Sequence, residues 1–247
     1  MTLSFLETYR YFDANGTNIY RGLNNSERSF EDILLPNAAV IFHELSHAID
    51  IFPPAQFANF NNSKKPFQNR LTDLSTGWLS EYPITDSNDD MTVLTDIAHI
   101  FNAGEDATDY LDYSAADVGE IFSRTHATDL YGFYNEKEDF AMNIEEALML
   151  YYFNVDREYV FVDTPPEGVA FEDWHFPIAW GQRNRIFDEN VIDRAAAAVE
   201  LILGEQSTEV TDYLYAQDGP TQIKSGTHFR HKREPFEWRS KFFDNYR

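Results

Sequence analysis

The pentapeptide HELSH at residues 43–47 constrains the fold most, because its two imidazoles meet at one site when the segment is helical. At about 100° per residue, a helix places His43 and His47 about 40° apart. Asp50 falls on the same narrow stripe. The opposite side is apolar, so it can pack in a core while the imidazoles face a cleft; its residues are Ala38, Ile41, Phe42, Leu45, Ala48, Ile49 and Phe52.

Prolines mark both ends of this helix. Pro36 suits a first helical turn, and Pro53-Pro54 ends the segment. We therefore predict a helix over residues 37–51.

Two histidines at this spacing are typical zinc ligands. The alternative is a pair of hydrogen-bonded histidines on a helix surface. The chain has no cysteine, so any metal must be held by His, Asp or Glu. A catalytic tetrahedral zinc needs a third protein ligand and an open position for water. Asp50 lies on the same helix as both histidines, so it would be poorly placed to complete the ligand geometry around the ion. We interpret it as an acceptor that fixes the tautomer of an imidazole; the alternative is that it only faces solvent.

A second segment offers the third ligand. Asn135 is a good cap for a predicted helix over residues 136–153. On that helix Glu138 lies on one stripe with Met142, Glu145 and Met149, and an apolar stripe lies opposite. We therefore expect Glu138 to face away from the packing side, which makes it the better candidate for the third ligand. The alternative is that the acids at residues 136, 138 and 139 only stabilise the first turn through the helix dipole, and this segment taken alone favours that alternative.

Together the two segments resemble the gluzincin metallopeptidases, most closely the family of the anthrax lethal factor catalytic domain. The resemblance rests on HELSHAID at residues 43–50 and on YGFYNEKEDFA at residues 131–141. Members of this family commonly carry a second acid four residues after the third ligand, where this chain has Met142.

The resemblance implies a role for each matching residue. His43, His47 and Glu138 would be the zinc ligands, and Glu44 would be the general base. Tyr131 would be the tyrosine that assists catalysis by donating a hydrogen bond to the oxyanion; a packed aromatic side chain is the alternative, and Tyr134 is a second candidate for the role.

The expected fold is one α+β domain over residues 1–247, helix-rich and zincin-like, with a small N-terminal β-sheet over the active-site helix. The content of 43% hydrophobic residues, with 21 Phe and 14 Tyr, is enough for such a core. Residues 17–21 are predicted as a strand of that sheet, and residues 53–90 as a long loop. The other predicted elements are helices over 91–102, over 115–126, and from a cap at Asp188 to residue 203, and a strand over 158–162.

Charge limits the partners. The 19 Lys and Arg face 42 Asp and Glu, and the net charge of −23 argues against nucleic acid or an anionic membrane as a partner. No stretch approaches the 18 or so apolar residues of a membrane span, and the first residues lack a signal-peptide pattern. We leave the oligomeric state and the location open, and favour an extracellular location.

The predicted function is that of a zinc-dependent endopeptidase acting on a peptide or protein substrate. Two alternatives stay open. One is a non-catalytic, acidic, zinc-binding interaction module, and the other is a zinc amidohydrolase that acts on small or cell-wall amides.

Overall fold

Helices and one small antiparallel sheet make up the fold in a computed structural model that describes residues 3–20, 28–53, 63, 80 and 89–229. The helices are α1 (Phe30–Ile51), α2 (Asp89–Ala103), α3 (Ala115–Ser123), α4 (Glu136–Phe153), α5 (Ile192–Leu203) and α6 (Thr208–Tyr215). The strands are β1 (Phe5–Phe12), β2 (Asp156–Asp163), β3 (Ile178–Arg183) and β4 (Thr221–Gln222). This mixture confirms the α+β class. Within the described ranges, no helix has the length and apolar character needed to cross a membrane.

The first helix begins earlier than its prolines predict. Ser29 caps it through a capping box, in which its hydroxyl accepts from the N–H of Asp32 at 3.1 Å and the Asp32 carboxylate accepts from the N–H of Ser29 at 2.8 Å. Pro36 therefore lies inside α1, so the predicted start at residue 37 is wrong. The predicted end at residue 51 is confirmed.

The apolar side of α1 is only partly buried. Ala38 and Ala39 belong to the core, and Phe42 packs against the rings of α4. Ile41 and Leu45 are each 52% exposed, which contradicts the prediction that they pack in the core. The reason is that α1 packs chiefly on one helix, α4. A single helix covers only a narrow stripe of α1, so the rest of its apolar side stays exposed.

Helix α4 lies at the centre of the fold. It spans Glu136–Phe153, as predicted, and every residue from 139 to 150 is buried, because α1, α5, α6 and β2 all pack on it. The expectation that the stripe of Glu138 faces away from packing is therefore wrong. That stripe faces α1, and Met142 and Met149 on it are fully buried.

The sheet has the order β1-β2-β3-β4 among the described residues. β1 pairs with β2 from Phe5↔Asp163 to Phe12↔Asp156, so an N-terminal strand finds its partner after α4. Residues 17–20 form only an isolated bridge, Phe12↔Asn18, and residue 21 lies outside the described ranges. The predicted N-terminal sheet is therefore wrong, since its strands are brought together by long-range pairing and α3, not α1, packs on β2 and β3.

The remaining predictions differ from the structure mainly at element ends. The helix predicted over 91–102 and the strand predicted over 158–162 are confirmed as α2 and β2. The helix predicted over 115–126 ends at Ser123. α5 begins at Ile192, because the carboxylate of Asp188 accepts from the N–H of Asn190 in a separate turn before the helix. Most of the loop predicted over 53–90 lies outside the described residues.

Candidate metal centre

Three side chains from two helices converge at the contact between α1 and α4. Oε2 of Glu138 lies 3.2 Å from Nε2 of His43 and 3.3 Å from Nε2 of His47. The two Nε2 atoms are 3.2 Å apart. The structure thus brings together the two histidines of the HELSH segment and the carboxylate predicted as their partner.

Local structure holds this carboxylate in place. Oδ1 of Asn135 accepts from the N–H groups of Lys137 and Glu138 at 3.0 and 3.1 Å, which fixes the first turn of α4. Small buried residues, Ala38 and Ala39, let α1 lie close to α4.

The three side chains are mostly buried, and their charges affect one another. The side chains of His43, His47 and Glu138 are 10%, 22% and 16% exposed. Burial works against a charge on His43, but contacts with Glu138 and Glu145 outweigh it and raise the pKa of this imidazole to about 9. Burial likewise opposes the charge of Glu138, yet the two imidazoles lower the pKa of its carboxyl to about 2. The carboxylates of Glu138 and Glu145 therefore stabilise a positive charge on His43.

The donor atoms have the spacing that a small metal ion requires. Ligand atoms about 2.0–2.1 Å from a tetrahedral zinc lie about 3.3–3.4 Å from one another. The three distances of 3.2, 3.2 and 3.3 Å fit that requirement. In the described part of the chain, His43, His47 and Glu138 form the one group of at least three His, Asp or Glu side chains close enough to hold a metal ion.

The two residues predicted to act on a substrate lie beside this group. Glu44 follows His43 on α1, is exposed, and makes no hydrogen bond with the residues that the structure describes. The ring of Tyr131 is nearly parallel to that of His43, with 6.2 Å between centroids and an angle of 18°. The ring of Tyr134, the second candidate, stacks on the ring of Tyr131, with 6.0 Å between centroids.

Asp129 and Gly132 fix the turn that carries Tyr131. It is a short 3-10 turn, Leu130–Phe133, and Oδ1 of Asp129 caps it by accepting from the N–H of Gly132 at 3.1 Å. Gly132 is needed there, since a Cβ would lie 2.8 Å from Oδ1 of Asp139.

Asp50 does not meet an imidazole among the described residues. Its two carboxylate oxygens accept from the N–H and the hydroxyl of Ser80, at 2.9 and 2.7 Å. It is 1% exposed, and these buried hydrogen bonds join α1 to a residue of the long segment after it.

Sequence reasoning missed two sets of buried residues near the site. Oε2 of Glu145 lies 3.2 Å from Nδ1 of His43, and only the stripe it shares with Glu138 hinted at this. The guanidinium of Arg157 binds Asp129 at 2.6 Å and Glu146 at 2.7 Å, with all three side chains at most 2% exposed. No local pattern in the sequence indicates that Arg157, in a strand, binds acids from two other segments.

Comparisons with known proteins add no relative. No protein-family model, no curated protein and no solved structure matches the chain. The case for a metal centre thus depends on the three converging side chains and their surroundings.

Proposed function

We propose that the chain is a zinc-dependent endopeptidase of the gluzincin type, as the HELSH and YGFYNEKEDFA segments suggest. The observation that carries this proposal is the convergence of His43, His47 and Glu138, from segments about 90 residues apart, at the spacing of zinc ligands. Two imidazoles and a carboxylate are the ligand set of several zinc peptidases.

The number of ligands favours a catalytic centre over a structural one. Structural zinc sites are closed by four protein ligands, whereas catalytic sites have three and leave a position open. The described residues supply three, and their side chains are between 10% and 22% exposed, so small molecules can reach them. A non-catalytic zinc module would need a fourth ligand that these residues do not supply.

Zinc bound at this site would polarise the scissile carbonyl and lower the pKa of its water from 15.7 toward about 7. Glu44 would then accept the proton of the attacking water and pass it to the leaving amine. Its exposed carboxylate, without a hydrogen bond to any described residue, is available for this role. Tyr131, beside His43, would donate a hydrogen bond to the developing oxyanion, a contribution worth about 3 kcal/mol.

The experiment combines metal analysis with a cleavage assay on an unfolded protein and a mixed peptide library. We expect one zinc per chain, cleavage that a chelator abolishes, and recovery when zinc is added back. Glu44→Gln should keep the zinc and lose cleavage. Glu120→Gln is the matched control, because Glu120 is an exposed acid on α3 whose side chain is 71% exposed, and this variant should keep both properties.

Two results would overturn the proposal. One is a purified wild-type protein that binds no stoichiometric zinc. The other is cleavage by Glu44→Gln at the wild-type rate, since that would place the base elsewhere.

A further inference from the structure

Glu145 lies behind His43, on the opposite side of the imidazole from the converging donor atoms. Its Oε2 is 3.2 Å from Nδ1 of His43, while Nε2 of the same ring faces Glu138 and His47. The side chain of Glu145 is only 3% exposed. The imidazole is thus held between two carboxylates, one at each ring nitrogen.

We propose that Glu145, anchored by Tyr11 of β1, is a positioning residue that orients His43 and strengthens metal binding at its Nε2. This inference rests on the metal centre of the proposed function. Glu145 itself does not touch the metal or a substrate.

The chemistry of histidine ligands supports this role. An imidazole that binds a metal through one nitrogen usually donates the N–H of its other nitrogen to a carboxylate or carbonyl, which fixes the tautomer and the ring orientation. Nδ1 of His43 is buried and has no aligned hydrogen-bond partner, and Glu145 is the carboxylate within reach.

The sheet holds Glu145 in position. The hydroxyl of Tyr11, which is fully buried, donates to Oε1 of Glu145 at 3.1 Å. Burial, and next the neighbouring charge of Glu145, raise the pKa of Tyr11 well above its ordinary value, so the phenol remains a hydrogen-bond donor at neutral pH. One oxygen of Glu145 is therefore bound by Tyr11 and the other is left for His43.

Other acids near His43 have different partners. Asp50 binds Ser80, and Glu146 binds Arg157. Met142, where the resembled family commonly has an acid, is fully buried and apolar. Glu145 lies about one turn after Met142 on the same stripe of α4, and its carboxylate contacts the imidazole of His43.

The test measures zinc affinity by competition with a chromophoric chelator, and the absorption spectrum of the cobalt-loaded protein. Glu145→Gln should weaken zinc binding about 10–100-fold and shift the cobalt spectrum, as expected for loss of a partner behind a ligand. Glu146→Gln is the matched control, because Glu146 is the next residue, equally buried, and bound to Arg157 instead. It should keep both affinity and spectrum.

Tyr11→Phe provides a second variant in case Glu145→Gln folds poorly. It keeps the carboxylate but removes its anchor, so a smaller loss of affinity in the same direction is expected.

Each outcome separates this inference from the proposed function. If wild type binds zinc and Glu145→Gln binds it equally well, the positioning role is refuted and the metal centre stands. Equal losses in Glu145→Gln and Glu146→Gln would refute it too, because they would reflect general loosening of α4. If wild type binds no zinc, the proposed function itself fails.

Discussion

Replacing Glu138 by alanine removes one of the three donor groups of the candidate metal centre. Structural sites with four protein ligands bind zinc with about 10–16 kcal/mol at pH 7, or about 2.5–4 kcal/mol per ligand. Every 1.4 kcal/mol is tenfold in affinity, so the lost ligand alone should weaken zinc binding about 60-fold or more.

A second effect of Glu138→Ala works in the opposite direction. Because Glu138 and Glu145 outweigh the burial of His43 and raise its pKa to about 9, the metal must displace a proton at pH 7.5, at a cost of about 2 kcal/mol. Removing Glu138 lowers this pKa and gives back at most about 2 kcal/mol. Loss of the ligand outweighs this gain, so a weakening of about twofold or more remains at pH 7.5. At pH 9 little proton displacement is needed, and the loss of affinity should approach its full size.

The assay is competition for zinc with a chromophoric chelator, at pH 7.5 and at pH 9. Glu136→Ala is the matched control, because Glu136 is an exposed acid in the same helical turn, and it should bind zinc like wild type. Equal affinities of wild type and Glu138→Ala at pH 9 would refute the assignment of Glu138 as a ligand. A loss that is larger at pH 7.5 than at pH 9 would refute the reasoning about His43.

Three further substitutions test the buried polar groups behind the site. Arg157→Met leaves Asp129 and Glu146 buried without their shared cation, so the free energy of unfolding in urea should fall by about 3–5 kcal/mol; a fall below about 1 kcal/mol contradicts this. Gly132→Ala places a Cβ 2.8 Å from Oδ1 of Asp139, and should lower the same free energy by about 1–3 kcal/mol; unchanged stability would mean that the turn shifts without strain. Burial raises the pKa of Glu146 from 4.5 to about 7, so the folded protein keeps a proton that the unfolded chain has lost between these pH values. Glu146 should therefore contribute a fall of about 3 kcal/mol in stability as the pH rises through this window. Burial raises the pKa of Asp139 to about 7 as well, so Glu146→Gln should reduce the fall seen in wild type by about 3 kcal/mol and leave the part due to Asp139; parallel stability curves of the two proteins against pH would argue against it.

Local signals in the sequence predicted the elements that carry the site. Asn135 is a cap whose side chain bonds the first turn, and the helix after it has the predicted bounds. The spacing of His43 and His47 is a property of one helix, so it places both imidazoles at one point before any tertiary contact is known. The pairing of these histidines with Glu138 was predicted from the family resemblance and from the position of this carboxylate on its helix. The structure brings the three side chains together.

Long-range packing explains what the sequence did not predict. β1 pairs with a strand about 150 residues later, and no periodicity in either segment names the partner. Pro36 was interpreted as a helix start, but the capping box at Ser29 and packing on α4 stabilise a helix that contains it. Asp50 and Glu145 are both acids on stripes that face the site, and only tertiary contacts show that Asp50 binds Ser80 while Glu145 meets His43.

The interior of the protein connects the two parts of the candidate site. α4 carries the third candidate ligand and, through Glu145, the contact behind His43. The next residue of α4, Glu146, binds Arg157, which also binds the aspartate that caps the turn of Tyr131. Because these contacts are buried, moving Arg157, Glu146 or Asp129 alone would leave a buried charge without its partner. The candidate donor atoms and the tyrosine ring are therefore linked through the same helix, as the proposed catalytic function would require.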